Sequence, residues 1–387
     1  MTILLFAPHS RFNEAGFQPV HARFIMSNLE KTPLHPVHIE AGARMGPFAG
    51  FDMPIQYEGI LAEHHHTRTK VSIFDTCHMG EFDLRGQTAL ADLENLLTLK
   101  VSTLNIGQCR YGFLLNDAGG VIDDLTCYRR AEDHFFLVVN AGTRGGDAGW
   151  IASKLSPGTA FTDLSPGRAK IDVQGPASRA AIEKVFGQTL PELGYFRFTD
   201  VTLGGVDMTL SRTGYTGEWG YELYMDDTHG PDLWNKLVAD GEIKPAGLGS
   251  RDTLRLEMGY ALYGHELNDQ MSPVAATRGM FIAKDKDFIG KATVDHDLAD
   301  CQRYLTPILL ESKRAAREGD DVVKDGTVIG TVTSGSIAPS IERAVALAYV
   351  DAAHTGIGTS LTISVRGKEL AGEVTDLPFY KNGTARG

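Results

Sequence analysis

The chain has 387 residues, 42% of them hydrophobic and 22% charged, with a formal net charge of −12. That length corresponds to two or three globular domains, and no apolar run approaches the ~20 residues needed to span a bilayer. The acid excess argues against nucleic-acid binding, and four scattered cysteines (Cys77, Cys109, Cys127 and Cys301), with no CxxC pair, suit a reducing compartment rather than a zinc site or disulfide framework.

Residues 1–31 read as an extension outside the folded core. They have a short apolar start without a charged region before it, no helical period and a second methionine at Met26, near which the working chain is expected to begin. Residues 34–54 alternate short apolar runs with glycines, as strands and turns do. Residues 58–71 read as a helix. Its His64-His65-His66 run cannot converge on one ion, because consecutive helical residues fan apart by ~100° each, so it reads as a solvated face. Residues 71–84 read as a strand, a bend at Cys77-His78-Met79-Gly80 and a second strand. Residues 88–99 form an amphipathic helix with Leu90, Leu93, Leu96 and Leu97 on one side.

The stretch 116–130 is the most informative. Asn116-Asp117-Ala118-Gly119-Gly120 is turn chemistry, and a strand rich in β-branched and aromatic residues follows from Val121 to Tyr128. That strand carries adjacent carboxylates, Asp123 and Asp124. Successive side chains point to opposite faces, so the two cannot act as a dyad. One face holds Val121, Asp123, Leu125 and Cys127; the other holds Ile122, Asp124, Thr126 and Tyr128. A carboxylate on such a strand is either exposed on a hairpin or paired and employed. Residues 134–140 form a buried strand and residues 142–155 a helix, which completes an α+β domain of antiparallel strands.

A second unit begins near residue 169 with a strand, and Pro176 opens the helix that follows. Residues 201–211 form a hairpin around Gly204-Gly205. The run from Arg212 to Tyr224 has three glycines that let backbone approach a ligand, with Tyr215, Glu218, Glu222 and Tyr224 as polar groups; it lacks the P-loop pattern. After a helix over 231–239, residues 246–264 read as a helix capped by Ser250, with Leu254, Met258 and Ala261 on one face. Arg251 then stands where the helix dipole disfavours a cation. It is either a solvated surface residue or one held to recognise a planar anionic or carbonyl group. From Tyr304 onward short strands alternate with turns at 324–326, 334–335, 356–358 and 366–367, the pattern of a small antiparallel barrel or sandwich.

The ordered motifs FAGFDMP, FDTCHMGEFDLRG, GGVIDDLTCY, VVNAGTR, VQGP, SRTGYTGEWGYEL, PAGLGSRDTLRLE, LYGHE, DFIGKAT, GTVTSG and ALAYV, spanning roughly residues 33–383, resemble the T-protein (aminomethyltransferase) family of the glycine cleavage system. The resemblance implies an α+β, three-domain cloverleaf around a central folate site with a C-terminal antiparallel β-barrel. The divisions expected are 1–31 for the extension, 32–167 and 168–295 for two α+β folate-binding domains, and 296–387 for the barrel. It implies transfer of a one-carbon unit from the aminomethyl-lipoyl arm of H-protein to tetrahydrofolate as co-substrate, with release of ammonia.

Expelling the dihydrolipoyl thiolate creates a cationic iminium that a folate nitrogen attacks, so an ionised carboxylate beside that carbon is needed. By resemblance Asp124 is that catalytic residue. Glu222 is implied as a bidentate acceptor from the pterin, Arg251 as the pterin-side arginine, and Tyr111, Tyr195 and Tyr215 as aromatic walls. Thr126, Tyr128, Met79 and Asn140 complete the implied folate contacts, and neither a metal nor a covalent nucleophile is implied.

Phe51, Thr76-Cys77 and Met280-Phe281 depart from the family pattern near the expected cavity. Arg129, Arg130 and Arg144 are the candidate docking patch for the acidic H-protein. Other expectations are a monomer or weak oligomer with no membrane or nucleic-acid partner, cytoplasmic if bacterial and in the mitochondrial matrix if eukaryotic. Two other functions use the same scaffold: a tetrahydrofolate-dependent demethylase of a small methylated compound, and a non-enzymatic folate-binding iron–sulfur assembly paralogue. The latter carries a cysteine motif where this chain has Leu262-Tyr263-Gly264-His265-Glu266.

Overall fold

The computed structural model describes residues 29–387, so Met26 and nearly all of the expected extension lie outside the described residues. Glu30 is already part of the fold: its N–H donates to Gly50 O at 2.9 Å, and its carbonyl accepts from Asp52 N.

The strand Val121–Ala131 alternates buried and half-buried side chains, as one face packs on helices and the other lines a cavity. It pairs with Gln108–Leu115 on one side and His134–Val139 on the other. Gly80–Arg85 and Ala160–Asp163 complete an antiparallel five-stranded sheet. Leu125 and Cys127 meet Leu93 and Leu96 of the helix Ala89–Leu96 and Ile151 of the helix Arg144–Lys154 in one apolar core. In the turn that opens the strand, Gly119 adopts φ +85°. Gly120 needs its small size for another reason: a Cβ there would lie 1.8 Å from Asp269 O.

The second sheet runs Phe198–Leu203, Val206–Ser211, Gly220–Asp226, Arg168–Gln174, Ser72–Asp75 and Lys244–Pro245, with only the last pair parallel. Its core takes in Leu34, Val37, Val71 and Ile73 beside Leu223 and Trp234. The strand–bend–strand expected over 71–84 therefore splits between two sheets. The crossing runs the other way as well, since Leu267, Val274, Phe288 and Val294 pack on Phe113 and Val121 of the first sheet. The two α+β units are interleaved along the chain, a feature that local hydrophobic patterning does not report.

Six strands from Arg303–Leu310 to Lys368–Val374 close a barrel. Ser334-Gly335, expected as a turn, lies inside the strand Thr327–Ala338, where the register shifts between Val332 and Ser334. A bulge uses the same small residues as a turn. The helix Leu248–Glu257 starts from Gly247 rather than Ser250, whose hydroxyl instead donates to Gly247 O. No helix among the described residues is long and apolar enough to cross a membrane.

A buried polar knot ties these units together. Arg68, from the helix Ile60–Thr69, donates to Glu218 Oε1 at 2.9 Å and Glu257 Oε2 at 2.8 Å, and to the carbonyls of Thr216 and Leu254. Glu257 also accepts from Ser340 N and Oγ of the barrel domain, and Glu218 from Thr384 of the C-terminal tail. His64, expected on a solvated face, is fully buried here, with Nε2 2.9 Å from Ser340 Oγ; His65 is exposed.

Burial opposes ionisation of Glu257, but His64, Arg68 and Ser340 outweigh it and hold its pKa to about 2. A group depressed from about 4.5 to about 2 contributes on the order of 3 kcal/mol, present above its unfolded value and lost as pH falls through the folded one. Burial also lowers the His64 pKa, so protonation of the unfolded chain lowers stability as pH drops below its ordinary range. The Glu257 contribution should therefore appear as a fall in melting temperature between about pH 4.5 and 2, and Glu257→Gln should flatten that acid limb while lowering the melting point at neutral pH. An unchanged acid limb in a folded variant would contradict this.

Candidate active site

Where the first two sheets face one another they leave a cavity of about 400 Å³. Asp124, on Val121–Ala131, projects into it. The Tyr111 hydroxyl, from the neighbouring strand, donates to Asp124 Oδ2 at 2.9 Å, and Asn140 Nδ2 donates to Oδ1 at 2.8 Å. Burial pushes the Asp124 carboxyl above its usual range, against the pull of Tyr111, Asn140 and the more distant Arg278.

Asp123 points to the opposite face and is fully buried, accepting from Asn140 N at 2.9 Å and from Nδ2 at 2.8 Å. Asn140, at the end of the adjacent strand, thus serves both carboxylates. Burial, the nearby Asp147 and Asp124 raise Asp123 well above the ordinary carboxylate range.

The second sheet supplies the opposite wall. Glu222 Oε2 accepts from Thr213 Oγ1 at 2.6 Å and Tyr224 OH at 2.7 Å, while Oε1 accepts from Lys170 Nζ at 3.0 Å. Arg251 Nη1 donates to Asp172 Oδ2 at 2.9 Å, and its guanidinium lies 5.1 Å from the Tyr215 ring. The remaining N–H groups of Arg251 have no protein partner among the described residues, whereas Glu222 is nearly saturated.

Eight of the ten residues named from the sequence line this cavity: Met79, Tyr111, Asp124, Thr126, Asn140, Tyr215, Glu222 and Arg251. Two do not. Tyr128 is fully buried beneath the wall, where its hydroxyl meets Tyr224 OH at 2.9 Å. It lies two positions beyond Thr126, where the strand has passed behind the other sheet. Tyr195 stands behind Phe196, ring centroids 4.6 Å apart, and Phe196 is the lining residue. Phe196 is held at φ 59°, with its N–H on Arg212 O and its carbonyl on Cys109 N, so the strained residue joins the two sheets.

Of the departures noted in the sequence, Phe281 packs on Tyr111 at 4.8 Å, and Phe51 lies near His78 at 6.3 Å. Glu218 belongs to the Arg68 knot and not to this cavity. Arg129 donates to the carbonyls of Leu104 and Ala131, and Arg130 pairs with Asp200 at 2.7 Å.

Lys170 and His78 also line the cavity and were not singled out from the sequence. Lys170 and Asp172 were legible as opposite charges two residues apart on a buried strand, hence on one face. His78 carried no such signal. Burial, with Arg251 and Lys170 nearby, pushes its pKa down to about 4 against the pull of Asp75, so the ring is neutral near pH 7.

Residues 34–286 match the GCVT N-terminal domain family and residues 303–381 the glycine cleavage T-protein C-terminal barrel domain family. An aminomethyltransferase of Halalkalibacterium halodurans is 38% identical over 364 residues, covering 92% of this chain and 100% of that protein. One of Halothermothrix orenii is 39% identical over 356 residues, covering 91% and 100%. The crystal structure of glycine cleavage system aminomethyltransferase T from Bartonella henselae superimposes with a TM-score of 0.87 at 33% identity, covering 92% of this chain and 99% of that one.

Because Asn140 satisfies two carboxylates at once, Asn140→Ala should cost about 1–3 kcal/mol in denaturant unfolding, the range for stripping a donor from buried acceptors. Wild-type stability in that variant would show that Asp123 and Asp124 do not depend on it.

Proposed function

The chain belongs to the glycine cleavage T-protein family and is an aminomethyltransferase, and on that premise we propose that the cavity takes tetrahydrofolate as co-substrate together with the aminomethyl-bearing lipoyl arm of an H-protein. The observation that carries this reading is a desolvated carboxylate, Asp124, that lines the cavity and is held by two neutral donors, with no cation in contact among the described residues.

The residues suit such a ligand. A cavity of about 400 Å³ is of small-molecule size, and Phe48, Tyr111, Phe196 and Tyr215 offer flat apolar walls. Arg251 has donors to give. Glu222, with Lys170, Thr213 and Tyr224 already on it, retains one lone-pair direction on Oε1, so it accepts one donor from a pterin edge rather than the bidentate pair the resemblance implies.

Transfer breaks the carbon–sulfur and carbon–nitrogen bonds of the aminomethyl group and forms two bonds from its carbon to folate nitrogens. The two protons released from those nitrogens leave with ammonia and the dihydrolipoyl thiol. The co-substrate supplies the attacking nitrogens. Asp124 supplies a fixed negative charge beside the carbon as positive charge develops there, in a site where water does not dilute it. Tyr111 and Asn140 keep that carboxylate oriented and favour its ionised form. Lys170 is no covalent partner, since its three protons go to Thr76, Asp172 and Glu222.

Aminomethyl-loaded H-protein and tetrahydrofolate together should yield ammonia and the 5,10-methylene derivative. Turnover of small methylated donors with none from loaded H-protein would overturn the reading. The active carboxylate is lost as pH falls through its folded pKa. Tyr111→Phe removes a donor that favours the ionised form, so the acid limb of kcat/KM should move to higher pH; a limb that stays in place would remove Asp124 from the acid-side titration.

A further inference from the structure

The strands Arg168–Gln174 and Gly220–Asp226 set Asp172 directly opposite Glu222. Like charges at facing positions of an antiparallel pair repel. Lys170, one step along the same face, ends between them, with Nζ 2.7 Å from Asp172 Oδ1 and 3.0 Å from Glu222 Oε1. Its third proton goes to Thr76 Oγ1 at 3.1 Å. An ammonium has only three donors, so none is left for a ligand. Asp172 Oδ2 in turn accepts from Arg251. The result is a row of alternating charge, Glu222, Lys170, Asp172, Arg251, with zero net charge. Its inner members are buried, at 1% and 0% exposure; Glu222, Lys170 and Arg251 line the cavity, and Asp172 lies behind them. Burial works to lower the Lys170 pKa, but the two carboxylates outweigh it and hold it high. Lys170 and Arg251 do the converse for Asp172.

We propose that Lys170 and Asp172 are positioning residues, which hold the Glu222 carboxylate and the Arg251 guanidinium at fixed places and opposite sign for the folate edge; Lys170 reaches the cavity wall but has no donor left for the ligand. The proposal rests on the reading that Glu222 and Arg251 meet the co-substrate. Asp124 is held by the other sheet, so the inner pair governs how well folate binds and not how fast the carbon is transferred. Without Lys170 the two carboxylates face each other, and one of them takes up a proton. The other titratable or polar groups around Lys170, Asp172 and Glu222 are Glu81, Cys77, Tyr128, Tyr224, Cys109 and His78, with Thr76, Ser211 and Thr213.

The test is tetrahydrofolate affinity against pH, with kcat measured at saturating folate. Lys170→Met should weaken binding about tenfold or more near neutral pH, equal to ~1.4 kcal/mol, and the gap should widen as pH falls while kcat stays within about threefold. Asp172→Asn keeps the shape, serves if Lys170→Met does not fold, and should also weaken binding without lowering kcat. Wild-type affinity across pH in a folded variant of either kind, or kcat falling with affinity intact, would overturn the proposal. Glu222→Gln separates the two levels. Affinity lost there but kept in Lys170→Met removes the positioning role alone. Affinity kept in Glu222→Gln removes the ligand reading and the proposal with it.

Discussion

One guanidinium, that of Arg68, joins the helix that carries Arg251, the glycine-rich loop that carries Tyr215, the barrel domain and the C-terminal tail. It bonds Glu218, beside the glycine-rich loop that carries Tyr215; Glu257, at the end of the helix that carries Arg251; and through them Ser340 of the barrel domain and Thr384 of the tail. A charge this deeply buried is tolerable only because each donor meets an acceptor, and removal of one partner from such a set typically costs about 3–5 kcal/mol. Small interleaved units with cores of their own leave their mutual orientation to contacts of this kind.

Inside the cavity, charge is handled in two ways. The second sheet balances its charges internally, each carboxylate beside a cation, so its wall presents polarity with little net field. The first sheet leaves Asp124 without a counter-ion in contact and holds it by a phenol and an amide. A carboxylate already paired with lysine or arginine would have little attraction left for a positive charge appearing on a substrate carbon. Neutral donors fix its direction and leave that attraction intact. The raised proton affinity of Asp124 is the cost of this arrangement.

Much of this was legible in the chain itself. The alternation along residues 121–128 separates Asp124 and Thr126 from Asp123 and Leu125, and the two faces are those seen. The barrel follows from short strands punctuated by turns, although Ser334-Gly335 shows that small residues mark a bulge as readily as a turn. Interleaving was hidden, because strand patterning says that residues 72–75 pair but not with which sheet. Tyr128 fell behind the wall for a similar reason: a motif position gives a strand face, and not where along the strand a neighbouring sheet covers it; Tyr195 stands in a turn before the strand Phe198–Leu203, where no alternation tells which ring faces the cavity. Lys170 and Asp172 carried a readable signal, opposite charges at i and i+2 in a buried strand. His64 looked like one of three surface histidines, but the helix Leu248–Glu257, through Thr253 and Glu257, and Ser340 of the barrel domain enclose it.

The transfer chemistry depends most on Asp124 acting on the reacting carbon and not merely on the fold or on folate binding. The decisive measurement is single-turnover formation of methylene-tetrahydrofolate from aminomethyl-loaded H-protein by Asp124→Asn, with tetrahydrofolate affinity measured on the same preparation. The expected result is affinity within a few-fold of wild type and a rate lowered about 10²-fold or more, the scale for losing one preorganised charge-stabilising group. A variant that binds folate normally and turns over at the wild-type rate would contradict it.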